Sequence, residues 1–248
     1  MRPVAILSAV VALVVVAAGL VVVAVLGTLR PDGRDGRDSD ADDPAAVARG
    51  TALPAIPPLA DDLDLAVWAD RAARSTGVPA RALEAYGAAE RTQRAATPDC
   101  RLSWATLAGV GRIESDHGRL GRADLDADGV VRPPIVGVPL DGSPGVAEIP
   151  DTDGGRLDGD VGYDRAVGPM QFLPGTWARY GADGDGDGVR NPDDLDDAAA
   201  AAAGYLCAGG RDTADGDGWW DGVLAYNRWI DYARRVWTAA DRYATAPA

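Results

Sequence analysis

The sequence predicts a mainly α-helical domain with one long lobe of loops, carried behind an apolar N-terminal segment. Three observations point there. Apolar residues recur at helical spacing from Asp61 to Gly118 and again from Pro174 to Tyr243. Between these blocks, Gly121 to Ala166 shows no helical period, only Gly, Pro and Asp with short apolar pieces such as Val130-Val131 and Ile135-Val136. Residues Val4 to Leu29 form an uncharged run of Val, Ala, Leu, Ile and Gly interrupted only by Ser8 and Thr28. At 248 residues and 47% hydrophobic, the chain can bury one good-sized core, or one core plus a membrane segment.

In chain order, residues 1–30 read as a signal anchor or transmembrane helix, because the run is long enough to span a bilayer and a cleaved signal has a shorter apolar core. The alternative is a secreted protein whose signal is removed. Both send the remainder outside. Arg2 before the span against Arg30, Arg34 and Arg37 after it favours the opposite orientation; the cysteines and the chemistry below outweigh that count. Residues 31–60, rich in Asp, Arg, Gly, Pro and Ala, read as a disordered, solvated linker. A single domain then covers 61–245.

Its first helix runs from near Asp61, with Leu63, Val67, Trp68 and Ala72 on one face, to Gly77. Pro79 opens the second, through Leu83 and Tyr86 toward Ala96. Ser103 is an N-cap for a third, whose apolar side is Trp104, Leu107, Ala108 and Ile113, so that Glu114 falls in its last turn. Further helices are read at Pro174 to Tyr180, Leu195 to Cys207, Trp219 to Ala225 and Ile230 to Tyr243. An irregular stretch as long as Gly121 to Ala166 inside a compact domain usually serves function.

The net charge is −14, from 24 basic residues, all arginine, and 38 acids. No Arg-rich stripe is present, which argues against a nucleic-acid partner. Cys100 and Cys207 have no cluster of other metal ligands around them; in an exported domain they are candidate disulfide partners, and otherwise two buried thiols.

Three pieces can carry chemistry. Glu114 stands in Gly111-Arg-Ile-Glu-Ser-Asp-His-Gly118 at the end of an apolar helix, where a carboxyl is desolvated, and it is one of only four Glu in the chain. Ala166-Val-Gly-Pro-Met-Gln-Phe-Leu-Pro174 brackets the amide of Gln171, a group that hydrogen-bonds sugar hydroxyls and N-acetyl groups, with small and rigid residues. Leu224-Ala-Tyr-Asn227 sets an aromatic hydroxyl beside an amide at a helix boundary. Asp116, two positions from Glu114, points elsewhere on a helix. His117 reads as a structural hydrogen bond at a helix end.

The order Glu-Ser-x-His-Gly, Gly-Pro-Met-Gln-Phe-x-Pro, an Asp-rich loop followed by Asp-Ala and Tyr-Leu, then Ala-Tyr-Asn resembles lytic murein transglycosylases, closest to the membrane-bound B type in its actinobacterial style, over residues 61–245. The resemblance implies a lysozyme-like helical domain that cuts the MurNAc-GlcNAc bond of peptidoglycan and leaves 1,6-anhydro ends. It implies Glu114 as the single acid/base, with Gln171, Tyr226, Asn227, Tyr205 and Ser115 contacting substrate. Other readings are a hydrolytic muramidase of the same fold and a non-enzymatic peptidoglycan-binding protein. The expected location is the wall side of the cell membrane, as a monomer on a single-pass anchor.

Asp183-Gly-Asp-Gly-Asp-Gly-Val-Arg-Asn191 places acids at loop positions 1, 3 and 5, Gly at 6 and the Val189 carbonyl at 7, an EF-hand-like calcium pattern. Its ligands are Asp183, Asp185, Asp187 and Val189. Position 12 is Asp194, whereas the family resemblance implies Asp197 as the last ligand. Asp124 to Gly129 and Asp151 to Asp160 read as Gly-Asp turns.

Overall fold

The computed structural model describes residues 47–247. Seven helices are formed among them: α1 (Leu65–Thr76), α2 (Ala80–Ala96), α3 (Trp104–Ser115), α4 (Pro174–Tyr180), α5 (Leu195–Leu206), α6 (Gly216–Tyr226) and α7 (Ile230–Ala244). The mainly helical expectation therefore holds. Side-chain caps set several starts: Asp64 accepts from the Val67 amide, Ser103 from Thr106, and Asp215 from Gly218. The Asp215 cap starts α6 at Gly216, ahead of the first apolar residue at Trp219, because a cap and not hydrophobicity decides where a helix begins.

Helix α3 is the centre of the fold. Trp104 to Gly111 are buried all round it, with Glu114 and Ser115 buried at its end. Helices α2 and α7 pack against it, and α5 packs on α2 through its alanine run. The α3–α7 crossing is close because Gly109 presents no side chain; a Cβ there would lie 2.8 Å from the Val236 carbonyl oxygen and 3.0 Å from Ala240. That closeness brings α7 side chains to the end of α3.

Residues 121–166 form the loop lobe, with one two-residue antiparallel pair, β1 (Asp124–Leu125) against β2 (Val131–Arg132). Leu140, Ala166 and Leu173 make a small core beneath it. The aspartates here are turn formers, as read: Asp126 accepts from the amides of Asp128 and Val130, and Asp151 from those of Asp153, Gly154 and Gly155.

Cys100 and Cys207 are joined, with Cα atoms 5.6 Å apart across 107 positions, fastening the turn before α3 to the end of α5. The free-thiol alternative does not hold. The span read at residues 4–29 lies outside the described residues; among the described ones no helix is long and apolar enough to cross a membrane.

One boundary is corrected. Residues 47–60, read as part of a solvated linker, are seated on the domain. Val47, Leu53 and Ile56 pack on the core and Leu59 is buried. The indoles of Trp220 and Trp237 both donate to the Thr51 carbonyl at 3.0 Å, Arg234 donates to the Val47 carbonyl, and the Leu59 amide donates to Glu90 at 2.7 Å. Polar groups of distant helices satisfy this segment's backbone, which no hydrophobic period in the segment itself records. A cavity of about 270 Å³ between this strap and the start of α3 is lined by Ile56, Glu90, Arg94 and Leu102; it lies at the opposite end of α3 from Glu114.

Candidate active site

Two of the four glutamates are buried, and they differ in one respect. Glu90 accepts from the amides of Leu59 and Trp104, both at 2.7 Å, and pairs with Arg94, so each oxygen has a partner. It is a structural tie. Glu114, 4% exposed, accepts at Oε1 from the Tyr232 hydroxyl at 2.5 Å, while its buried Oε2 has no hydrogen-bond partner among the described residues. A buried polar oxygen without a partner is costly unless something else, such as a substrate, uses it. Burial pushes the Glu114 carboxyl up to about 8, against the pull of the Tyr232 hydrogen bond toward the charged form. The group therefore holds its proton at neutral pH, and with Oε1 accepting from tyrosine, Oε2 is the oxygen placed to carry it.

The residues singled out from sequence converge on this end of α3. Ser115 donates to the Pro169 carbonyl at 2.6 Å and accepts from the Gly118 amide at 2.8 Å, stitching α3 to the loop that carries Gln171. Gly168, with φ of +73°, turns that loop against residue 192, where a Cβ would meet the Pro192 carbonyl oxygen at 1.8 Å. Gln171 is itself left-handed, φ +50°, and buried; its amide nitrogen donates to the Gly168 carbonyl at 2.8 Å. Tyr226, buried, donates to the Met170 carbonyl at 2.7 Å and stacks edge-on against Phe172. Its hydroxyl is pushed well above the ordinary tyrosine range, first by burial and then by the nearby charge of Glu114. Asn227, buried, accepts from the Trp229 amide at Oδ1, and its Nδ2 is a second buried polar atom without a partner among the described residues. The Tyr205 hydroxyl is held by the Ala225 carbonyl, and its ring packs between Tyr180 and Tyr226.

Asp116 points away from Glu114. It ends α3 in a left-handed conformation and pairs with Arg112 and Arg119. No second carboxylate is thereby offered by this segment. His117, the only histidine, is buried between the hydroxyls of Tyr86 and Tyr243, each 3.2 Å away. Burial, with the charges of Arg119 and Arg112, pushes it down to about 3, so it is a neutral structural link, as its sequence position suggested.

Tyr232 is the residue that sequence reading missed. Its partner is 118 positions away, so no local motif holds both. A signal was available: Tyr232, Val236, Ala240 and Tyr243 are the buried stripe of α7, and a phenol on an apolar stripe needs a partner at its tip.

In the Asp-rich loop, the carboxylates of Asp183, Asp185 and Asp187 bring oxygens within 4.8 Å of one another, all exposed. Asp197 does not join that group directly. It is buried and straps the loop, accepting from the amides of Gly184 at 2.6 Å and Asn191 at 2.7 Å. Asp194 caps α5 by accepting from Asp196, and Val189 is exposed. Burial pushes Asp197 up, and the charges of Asp185 and Asp183 add to it; Asp194 rises to about 6, first by burial and then through Asp196, Asp197 and Asp185. Three carboxylates with oxygens held this close form a hard-oxygen donor set of the kind that fits a divalent cation.

Residues 160–241 match the family model described as Transglycosylase SLT domain. The matched segment holds Gln171, Tyr205, Tyr226, Asn227 and Tyr232; Glu114 and Ser115 precede it. The match supports a lytic transglycosylase family. Neither the curated proteins nor the solved structures contain a match to this chain.

Proposed function

We propose that the chain is a peptidoglycan lytic transglycosylase of the membrane-bound B type that cuts the MurNAc-GlcNAc β-1,4 bond with Glu114 as its only catalytic carboxylate. The observation that carries this is the buried Glu114, protonated at neutral pH, with one oxygen held by Tyr232 and the other without a protein partner.

In the first half-reaction, Glu114 Oε2 gives its proton to the glycosidic oxygen as the bond to the muramyl anomeric carbon breaks. Charge on the sugar ring is met by the substrate's N-acetyl group and by local dipoles, in place of the second carboxylate that most glycosidases use. In the second half, the Glu114 carboxylate takes the proton of the muramyl 6-hydroxyl, whose oxygen closes on the anomeric carbon. The carboxyl is regenerated and no water is consumed. Tyr232 steadies the carboxylate between the halves, and the sugar contacts are assigned to Gln171 and to Asn227, whose Nδ2 has no partner among the described residues.

Mass spectrometry of digested peptidoglycan tests the reaction. Fragments one water short of reducing ends are expected; reducing ends throughout would make the protein a muramidase, and an inert protein would leave only wall binding. For Tyr232→Phe, loss of a hydrogen bond to a charged group lowers turnover roughly tenfold or more. Because that bond favours the carboxylate, its loss also moves the alkaline limb of the pH–rate profile upward. A merely structural tyrosine would leave the limb in place.

A calcium ion is assigned a structural role in the Asp183 loop, with Asp183, Asp185, Asp187 and the Val189 carbonyl as ligands and Asp197 closing the loop. When bound it neutralises the clustered carboxylates. Addition of calcium to chelator-treated protein is expected to raise the melting temperature, by the equivalent of about 2.7 kcal/mol at a hundredfold excess over Kd. An unchanged melt would remove the ion from this account. Residues 4–29 are assigned as the membrane anchor of a monomer whose domain faces the wall.

A further inference from the structure

Beside Gln171 the loop lobe contributes a short antiparallel ladder. Val136 faces Val167 across it, with the Gly137 amide donating to the Ala166 carbonyl and the Gly168 amide to the Ile135 carbonyl, both at 2.8 Å. Val167 in turn exchanges two bonds with Phe172, at 2.8 and 3.0 Å. In this register the groups of residues 135 and 137 point into the ladder, and those of Val136 and Val138 point out of it. Arg165 holds the Gly137 carbonyl at 3.2 Å, but among the described residues the N–H and C=O of Val136 and Val138 have no hydrogen-bond partner. Val136 is also 42% exposed. The result is an open strand edge two hydrogen-bonding residues long.

This edge adjoins the candidate active site. The side-chain oxygen of Gln171 lies 3.4 Å from where a Cβ on Gly137 would be, so the amide rests on the face of the same strand. A muramyl sugar held at Gln171 carries an amide-linked peptide, a chain of alternating N–H and C=O groups. We propose that the outward edge of Val136 to Val138 receives this peptide stem as an added strand, by main-chain hydrogen bonds, while the sugar occupies the Glu114 site. The inference rests on the transglycosylase reading above. Edge pairing reads backbone and not side chains, so it demands a stem of at least two residues and tolerates variation in their identity. It also supplies binding that does not depend on charge, which suits an acidic protein acting on an anionic wall.

Val136→Pro tests it. The substitution removes an outward N–H that the ladder does not use, and it restricts Ile135 to the extended backbone it already needs. Loss of that hydrogen bond predicts that kcat/KM on peptide-bearing glycan falls several-fold, up to about tenfold, through KM. Cleavage of the same glycan after its peptides have been removed by an amidase is expected to be unchanged. Val138→Pro should behave likewise, with thermal melts confirming that both variants fold. Equal losses on the two substrates, or none on either, would overturn the stem assignment. The unaltered protein gives an independent reading: equal cleavage of peptide-bearing and peptide-free glycan sinks the stem assignment alone, whereas cleavage of neither sinks the transglycosylase reading together with it.

Discussion

Glu114→Gln is expected to lower glycan cleavage by roughly 10²–10⁴-fold, the contribution of a positioned acid/base, and to leave the fold intact. Glutamine keeps the shape and an acceptor for the Tyr232 hydroxyl but cannot exchange a proton. The same substitution has a stability signature. In the folded protein the Glu114 carboxyl titrates at about 8, against 4.5 for an ordinary glutamate. Below pH 4.5 both folded and unfolded chains hold the proton and the group has no pH effect. From there to pH 8 the unfolded chain releases a proton that the folded one retains, so stability falls as pH rises. Above pH 8 the whole penalty is present, on the order of 5 kcal/mol. Glu114→Gln removes that slope, so the variant should melt above the parent at pH 8 and converge with it near pH 4. Chemical denaturation across this range, paired with turnover, checks both. A variant as active as the parent, or a parent with no decline attributable to Glu114, would show that this carboxyl is not the proton carrier.

Reduction of the Cys100–Cys207 bond, or the double Cys→Ala variant, is expected to cost about 4–5 kcal/mol, because a link across 107 positions removes much of the unfolded chain's freedom. For a domain of this size that is a fall in melting temperature of roughly 10–15 °C. Turnover below the transition should change little, since the bond fastens the start of α3 to the end of α5 while Glu114 stands at the other end of α3. Calorimetry with and without reductant measures it. A shift of only a degree or two would mean that the packed core, not the cross-link, holds these elements together.

Much of the fold was legible in local pattern. The helical period located all seven helices, and where a boundary was misplaced, as at α1 and α6, a capping aspartate with no hydrophobic signature had decided it. The strap at 47–60 was not legible. It is held by indole, guanidinium and carboxylate groups from α2, α6 and α7 that reach its backbone, so its composition alone reads as linker. For the site, sequence order singled out Glu114, Gln171, Tyr226 and Asn227, and the structure brings them to one end of α3. It also shows these side chains far more enclosed than residues lining an open groove.

What the sequence by itself determined is where helices form, which face each buries, and which side chains have the chemistry to act, because these depend on neighbours within a few positions. Only the tertiary structure decided which of two buried glutamates is spent on backbone amides and which keeps a free oxygen. It alone supplied Tyr232, and it settled the Cys100–Cys207 pairing, already the leading candidate from sequence, over two free thiols. Each of those outcomes depends on atoms more than a dozen positions apart, and the Tyr232–Glu114 pair is brought together by the close crossing of α3 and α7 at Gly109.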